Sequence, residues 1–283
     1  MRILTFDIEE WFHTQFDQKF NNEENWSKYE SRLQQNMDLI FQALDNKKQN
    51  ATFFCLGWVA RKFPDILKRI DNNGHEIACH SDMHHLAYLQ NRSEFKDDFE
   101  RAMNSIEDLI GKKVRAYRAP AFSIKKENKW AFEIIIENGI EIDCSIFPAQ
   151  RDYGGFSEFK VDQPCWIDYE GHFLKEFPMN SFSLLGKNFI FSGGGFFRFL
   201  PYWSIKKMTT NSNYIMAYFH PRDFDPNQPM IDELSLNRKF KSYYGLKWSF
   251  KKLQQLLDDF DFIDLASAEK KVDWGSVPVV KIA

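Results

Sequence analysis

A chain of 283 residues is long enough to bury one large α/β core or two small ones. Its formal charge of -3, with no block of lysine and arginine, argues against nucleic acid or an anionic membrane surface as a partner. No run of about 18 apolar residues occurs, so no transmembrane segment is expected, and the opening "MRILTFDIEEWFH" lacks the apolar region of a secretory signal, which points to a cytoplasmic protein.

In chain order, "RILTF" reads as a strand. "SRLQQNMDLIFQALDNKK" follows as an amphipathic helix, with Leu33, Met37, Ile40 and Leu44 on one face. The strand "ATFFCLG" leads into a helix over "VARKFPDILKRIDNNG", closed by Asn-Asn-Gly. The strand "EIACH", a helix around Phe95, Phe99, Met103 and Ile106, and the strand "KVRAYR" come next. "NKWAFEIIIENG" is a further helix and "IEIDCSIFP" a further strand. Strands alternating with helices predict a parallel sheet or barrel. Residues 151–212 break the rhythm; rich in Gly, Phe, Pro and Tyr, they read as an irregular excursion of loops and short strands inside a single domain spanning 1–283. "NYIMAYFH" restores a strand, and an amphipathic helix is expected at about 246–260, with Phe250, Leu253 and Leu257 on its apolar face. Cys55, Cys79, Cys144 and Cys165 show no CxxC or framework spacing and are expected to be reduced thiols.

Five of the predicted strands end on a chemically able side chain: Asp7, His80, Arg118, Asp143 and His220. In a parallel barrel those tips share one rim, the place where such enzymes keep their active sites. "HEIACHSDMHH" adds four of the chain's seven histidines in eleven positions. "HEIACH" is a near miss for the zinc-protease HExxH pattern, but its two histidines, His75 and His80, are five apart, which excludes that reading. His80 and His84, four apart, would face the same way on a helical turn and grip one metal. His75 lies at the strand entrance, with a structural, loop-bonding role expected. His85 is expected to be solvated or behind the ligands.

In order, "TFDIEEWF", "HSDMH", "RAPAFS", "DCSIFP" and "YFHPRDFD" resemble the five motifs of the polysaccharide deacetylases of the NodB-homology group, carbohydrate esterase family 4. "SGGGFFRFLPYW" and "YYGLKWSFKKLQQLL" further resemble the branch found beside exopolysaccharide and O-antigen genes. The resemblance implies a distorted (β/α) barrel of about seven parallel strands. It implies Asp7 as general base, Glu9, His80 and His84 as ligands of one divalent metal (commonly zinc, with cobalt or nickel as alternatives), and His220 as general acid. Arg118 would orient Asp7, and Asp143 would orient the acid or support the site. The usual pair of adjacent aspartates is replaced here by Asp7-Ile8-Glu9-Glu10. Strand alternation puts Glu9 on the face of Asp7, but Glu10 stays open as the acidic ligand.

The activity implied is hydrolysis of an N-acetyl group from a sugar in a glycan or glycan precursor of surface polysaccharide or O-antigen biosynthesis. Trp203, Tyr202 and Phe197 are candidate substrate contacts, against ordinary packing as the plainer reading. Three alternatives compete: an amidase acting on a small non-sugar amide, a catalytically silent glycan-binding module, and an O-deacetylase. The sugar, its carrier, the native metal and the oligomeric state are not written in these residues.

Overall fold

The computed structural model describes residues 1–13, 22–184, 187–231 and 234–282. Its strands are β1 (Arg2–Ile8), β2 (Thr52–Cys55), β3 (Glu76–Cys79), β4 (Ala116–Tyr117), β5 (Ile142–Asp143), β6 (Cys165–Tyr169), β7 (His172–Glu176), β8 (Phe182–Leu184), β9 (Lys187–Phe189), β10 (Ile215–Phe219) and β11 (Val279–Lys281). Nine of them form one sheet in the order β10-β1-β2-β3-β4-β5-β7-β6-β11. From β10 to β7 every neighbour is parallel; β6 returns antiparallel to β7, and β11 lies parallel to β6 on the far edge. The small β8–β9 hairpin stands apart.

A parallel strand covered on both faces needs apolar residues on both, and β1 is buried from Ile3 to Ile8. Its alternate residues serve two cores. Leu4, Phe6 and Ile8 join the larger cluster beneath the outer helices, while Ile3 joins a smaller inner cluster with Phe54, Ala78, Ala116, Ile142 and Met216. Thr5 and Asp7 share the face of Ile3 by the two-residue period of a strand. The inner core therefore ends, at the C-terminal tips, in polar side chains.

The helices are α1 (Glu23–Trp26), α2 (Leu33–Lys47), α3 (Gly57–Lys62), α4 (Pro64–Asn72), α5 (Arg92–Ile110), α6 (Ala131–Glu137), α7 (Gly194–Phe199), α8 (Tyr202–Thr210), α9 (Leu236–Tyr243), α10 (Leu246–Asp259) and α11 (Leu265–Glu269). The single helix expected over "VARKFPDILKRIDNNG" is two. Pro64 disfavours the helical conformation at Phe63, which sits at φ -131, ψ 55, and then opens α4 from its first position. α5 carries a full capping box, Asn91 with Glu94, and stops at Gly111 with φ 67.

The excursion is more regular than expected. Along β6, Cys165, Ile167 and Tyr169 are buried while Trp166 and Asp168 are not, a period-two strand that hairpins into β7 and extends the central sheet. Two helices, α7 and α8, follow. The four cysteines are free and buried. Among the described residues no helix is long and apolar enough to cross a membrane.

Candidate active site

β1, β3, β4, β5 and β10 deliver Asp7, His80, Arg118, Asp143 and His220 to the same end of the sheet, because parallel neighbours put their C-terminal tips side by side. Glu9, just past β1, continues the face of Asp7. Ligand atoms of Glu9, His80 and His84 all lie within 4.8 Å of one another, and all three residues are buried. His80 Nδ1 donates to the carbonyl of Arg118 at 2.7 Å, which fixes the tautomer and leaves Nε2 as a lone-pair donor. Glu9 Oε2 stands 2.5 Å from His84 Nε2. A buried carboxylate oxygen facing imidazole nitrogens is the donor set of a divalent cation such as zinc, so these residues fit the metal that the sequence motifs imply.

His84 is not on a helix. The stretch after β3 is a loop, and both Ser81 (φ 72) and His84 (φ 57) take left-handed backbone conformations to bring the second imidazole back toward the first. The ring centroids end 5.4 Å apart. Such backbone outliers away from glycine cost of order 1–3 kcal/mol each and persist where the surroundings impose them.

Burial alone pushes the Glu9 carboxyl up, yet the positive potential of His84 and His220 outweighs it and holds the group well below the ordinary carboxylate range. Burial, with His84 nearby, pulls His80 down to about 4 against the opposing fields of Asp7 and Glu9, so its ring is neutral at pH 7. Glu10 has another task. Its carboxylate accepts from the hydroxyl of Ser31 and from the backbone N–H groups of Arg32 (3.2 Å) and Leu33 (3.3 Å), satisfying the start of α2. That settles which acid faces the histidines: Glu9 does.

Arg118, fully buried, donates through Nη1 to Asp7 Oδ1 at 2.6 Å and to Thr5 at 2.9 Å, and lies 4.0 Å over the Phe54 ring. This leaves Asp7 Oδ2 turned toward His220 Nε2, 3.8 Å away. Asp143 does not reach His220. It grips Ser145, accepting from its N–H at 2.9 Å and its hydroxyl at 2.7 Å, and Ser145 in turn accepts from Ala119 N–H at 2.8 Å. Asp143 therefore braces the loop that carries Arg118. Opposite it in register, Glu176 is pushed well up by burial and by the Asp143 carboxylate.

The partner of His220 is Asp223. Its Oδ2 accepts from His220 Nδ1 at 3.0 Å and from His220 N–H at 2.9 Å, while Arg198 Nε pairs with Oδ1 at 3.1 Å. Burial works against the charge on Asp223, but the bond from His220 and the Arg198 guanidinium hold it down at about 2. Burial likewise lowers His220, and the carboxylates of Glu9, Asp223 and Asp7 more than reverse this, raising it to about 9. His220 is thus an imidazolium at neutral pH, with Nε2 directed at Asp7 and at Glu9 Oε1, 3.6 Å away.

All five side chains (Asp7, Glu9, His80, His84, His220) line a cavity of about 720 Å³, within the usual range for ligand sites. Residues 4–133 match the family model Polysaccharide deacetylase, and residues 144–269 match Domain of unknown function (DUF3473). Through these first residues the chain is similar to the polysaccharide deacetylase family. It is 28% identical over 103 residues to a peptidoglycan-N-acetylglucosamine deacetylase of Bacillus cereus, covering 36% of this chain and 38% of that one. A second Bacillus cereus protein of the same description is 37% identical over 94 residues, covering 32% and 34%. The chain thus spans little more than a third of the length of the curated relatives it matches. A crystal structure from Mycobacterium smegmatis that bears the polysaccharide deacetylase designation superposes with a TM-score of 0.65 at 16% identity, covering 97% of this chain and 90% of that one. The mostly parallel α/β sheet is the barrel-like fold of these deacetylases.

Not every expected residue reaches the cavity. Phe197 is core, its ring 4.7 Å from that of Phe219. Tyr202 faces α10, its hydroxyl donating to Gln255 O at 2.7 Å. Trp203, one position further on α8, points to solvent away from the cavity wall. The helical register of α7 and α8 explains all three: a stretch expected to be loops and short strands offers no helical period from which to read their directions. His75 packs between Phe41 and Phe53 with both ring nitrogens unpartnered, not bonded to a loop. His85 stays half exposed, 3.7 Å from Asp98. Three residues of the site escaped the sequence reading. Asp223 follows His220 by three, the spacing of a capping box, and was legible on that ground. Arg198 had no local signal. His13 lines the cavity; its Nδ1 accepts from Glu10 N–H at 3.2 Å, so the proton sits on the unpartnered Nε2.

Proposed function

We propose that this protein is a metal-dependent hydrolase that removes the N-acetyl group from a sugar unit of a glycan. The observation that carries the reading is the convergence of Asp7, Glu9, His80, His84 and His220, from three separate stretches of sequence, on one cavity. The names borne by the Bacillus cereus relatives support N-acetylglucosamine as the unit. A surface-polysaccharide or O-antigen setting is supported only by the resemblance of the "SGGGFFRFLPYW" and "YYGLKWSFKKLQQLL" segments.

A cation on Glu9, His80 and His84 would act as Lewis acid toward the acetamide carbonyl and would acidify a nearby water. Asp7, with one oxygen held by Arg118, presents Oδ2 to the cavity as the base that takes a proton from the attacking water. His220 holds the proton that the departing amine needs, since an amide anion is too poor a leaving group to depart alone. As the water oxygen bonds to the carbonyl carbon and the C–N bond breaks, that proton passes from Nε2 to nitrogen, leaving acetate and the free amino sugar. Asp223 keeps the ring oriented while its charge disappears.

The test is metal analysis joined to acetate release. Purified protein is expected to retain about one divalent ion, and to release acetate from N-acetylglucosamine oligomers. His80→Ala should remove ion and activity together, whereas acetate release by an ion-free His80→Ala protein would overturn the proposal.

A further inference from the structure

Asp143 and Glu176 stand opposite each other in the parallel register of β5 and β7, and both are 0% exposed. The guanidinium whose field reaches Asp143, that of Arg118, is bound to Asp7 and Thr5. The two carboxyls are hydrogen-bonded to each other, and such a bond requires a proton on one of them. Asp143 accepts from Ser145 through both oxygens, at 2.7 and 2.9 Å, whereas Glu176 Oε2 meets no donor. The proton therefore resides on Glu176. Burial beside the Asp143 carboxylate pushes that group well up, in keeping with the assignment.

Glu176 grips the chain at a second point. Its Oε1 accepts from Ile146 N–H at 3.3 Å. The two contacts bracket Cys144 and Ser145, and each of these reaches the site. The Cys144 carbonyl accepts from Arg118 Nε at 3.3 Å, and Ser145 Oγ accepts from Ala119 N–H at 2.8 Å. Arg118 in turn holds Asp7 at 2.6 Å. A line of contacts thus runs from β7 through residues 143–146 to Asp7. The other titratable groups around the acid pair are Cys144, Cys165, Tyr117 and Tyr214. Burial pushes each of these up, so none is charged at neutral pH.

We propose that Glu176 is a positioning residue: by donating to Asp143 and accepting from Ile146 it clamps residues 143–146, and through Cys144 and Arg118 it fixes Asp7 toward the cavity. This rests on the deacetylase reading above for the role of Asp7 as base. A neutral acid suits the place better than a carboxylate, since a second buried negative charge would repel Asp143 and find no cation. The clamp has a consequence for pH. The folded chain keeps a proton that the unfolded chain releases above the ordinary carboxylate range. Wild-type stability therefore falls as pH rises through that range, until Glu176 itself ionises. A glutamine, uncharged throughout, escapes the loss.

The experiment compares wild type, Glu176→Gln and Glu176→Leu. It reads acetate release from N-acetylglucosamine oligomers, hydrolysis of an aryl acetate, metal content, denaturant midpoints from about pH 5 to 9, and the infrared carbonyl band of a protonated carboxyl. Glutamine keeps a donor for Asp143 and an acceptor for Ile146, so kcat should stay within about twofold of wild type. Leucine keeps neither. Its kcat should fall about tenfold or more on amide and aryl ester alike, since both need the base, with KM and metal content little changed. The band should be present in wild type at neutral pH and absent from Glu176→Gln, whose midpoint should gain on wild type as pH rises. Equal losses in the glutamine and leucine variants would overturn the role as neutral donor, as would a missing band or a midpoint difference that ignores pH. A leucine variant with wild-type kcat would overturn the positioning, and so would one that lost metal and activity together. If wild type released no acetate from any N-acetyl sugar while the band and the pH-dependent gain appeared, the clamp would stand and the deacetylase reading would fall.

Discussion

Replacing Asp223 by asparagine isolates the step in which the amine departs. The carboxylate holds His220 through two hydrogen bonds, to Nδ1 at 3.0 Å and to the backbone N–H at 2.9 Å, and meets Arg198 with its second oxygen. Asparagine keeps one acceptor, turns an NH2 group toward the ring or the guanidinium, and withdraws the charge that favours imidazolium. A hydrogen bond to a charged group is worth about 1.5–3 kcal/mol; if that sum is lost only when the proton moves, kcat on an N-acetyl sugar falls about 10- to 150-fold. His220→Ala, which removes the donor itself, should reach about 100- to 10,000-fold. The leaving group supplies the control. An aryl acetate expels a phenolate that needs no proton, so both variants should hydrolyse it at rates within a few-fold of wild type. Metal content should also persist, because Asp223 sits behind His220 and not among Glu9, His80 and His84. Equal losses on the amide and the aryl ester would show that Asp223 and His220 maintain the site's shape and donate no proton.

Glu9→Ala should abolish metal retention, whereas Glu10→Ala should keep the ion and cost about 1 kcal/mol in urea unfolding through the lost α2 cap; metal analysis beside denaturation curves tells them apart. Arg118→Met leaves the Asp7 charge buried without its 2.6 Å partner and should destabilise the fold by about 3–5 kcal/mol, read from denaturant midpoints. Gly193→Ala would place a Cβ 2.0 Å from the Tyr218 carbonyl, so the loop must leave β10; a loss of about 1–3 kcal/mol is expected on the same assay.

The parallel sheet was legible because each strand of the first half is followed by a helix with a one-sided apolar pattern, and its polar tips could be read off as strand ends. The convergence of Asp7 with His220 followed from that alone, since register carries strand tips to one edge whatever the intervening chain does. What sequence spacing could not give was the path of the loop after His80: no local pattern announces left-handed backbone at Ser81 and His84, and helical spacing offered a plausible but different route to the same pairing. The excursion failed for another reason. Glycines and aromatics in "SGGGFFRFLPYW" mask the periods of α7 and α8, so residue type singles out Phe197, Tyr202 and Trp203 where direction decides. Of the rings that wall the cavity, Phe199 lies in this same stretch, whereas Phe240 and Tyr244 lie more than thirty residues away on α9 and its end, linked to it by tertiary packing only.

β10 is inserted beside β1, more than two hundred residues upstream of it, in a five-residue parallel register from Arg2–Ile215 to Phe6–Phe219. A contact of such long range is slow to close. During synthesis the three proposed cation ligands, all within the first 84 residues, emerge well before His220, the proposed proton donor. A nascent or truncated chain could therefore capture an ion without being able to turn over substrate. Hydrolytic competence would arrive only when the late strand docks against the first.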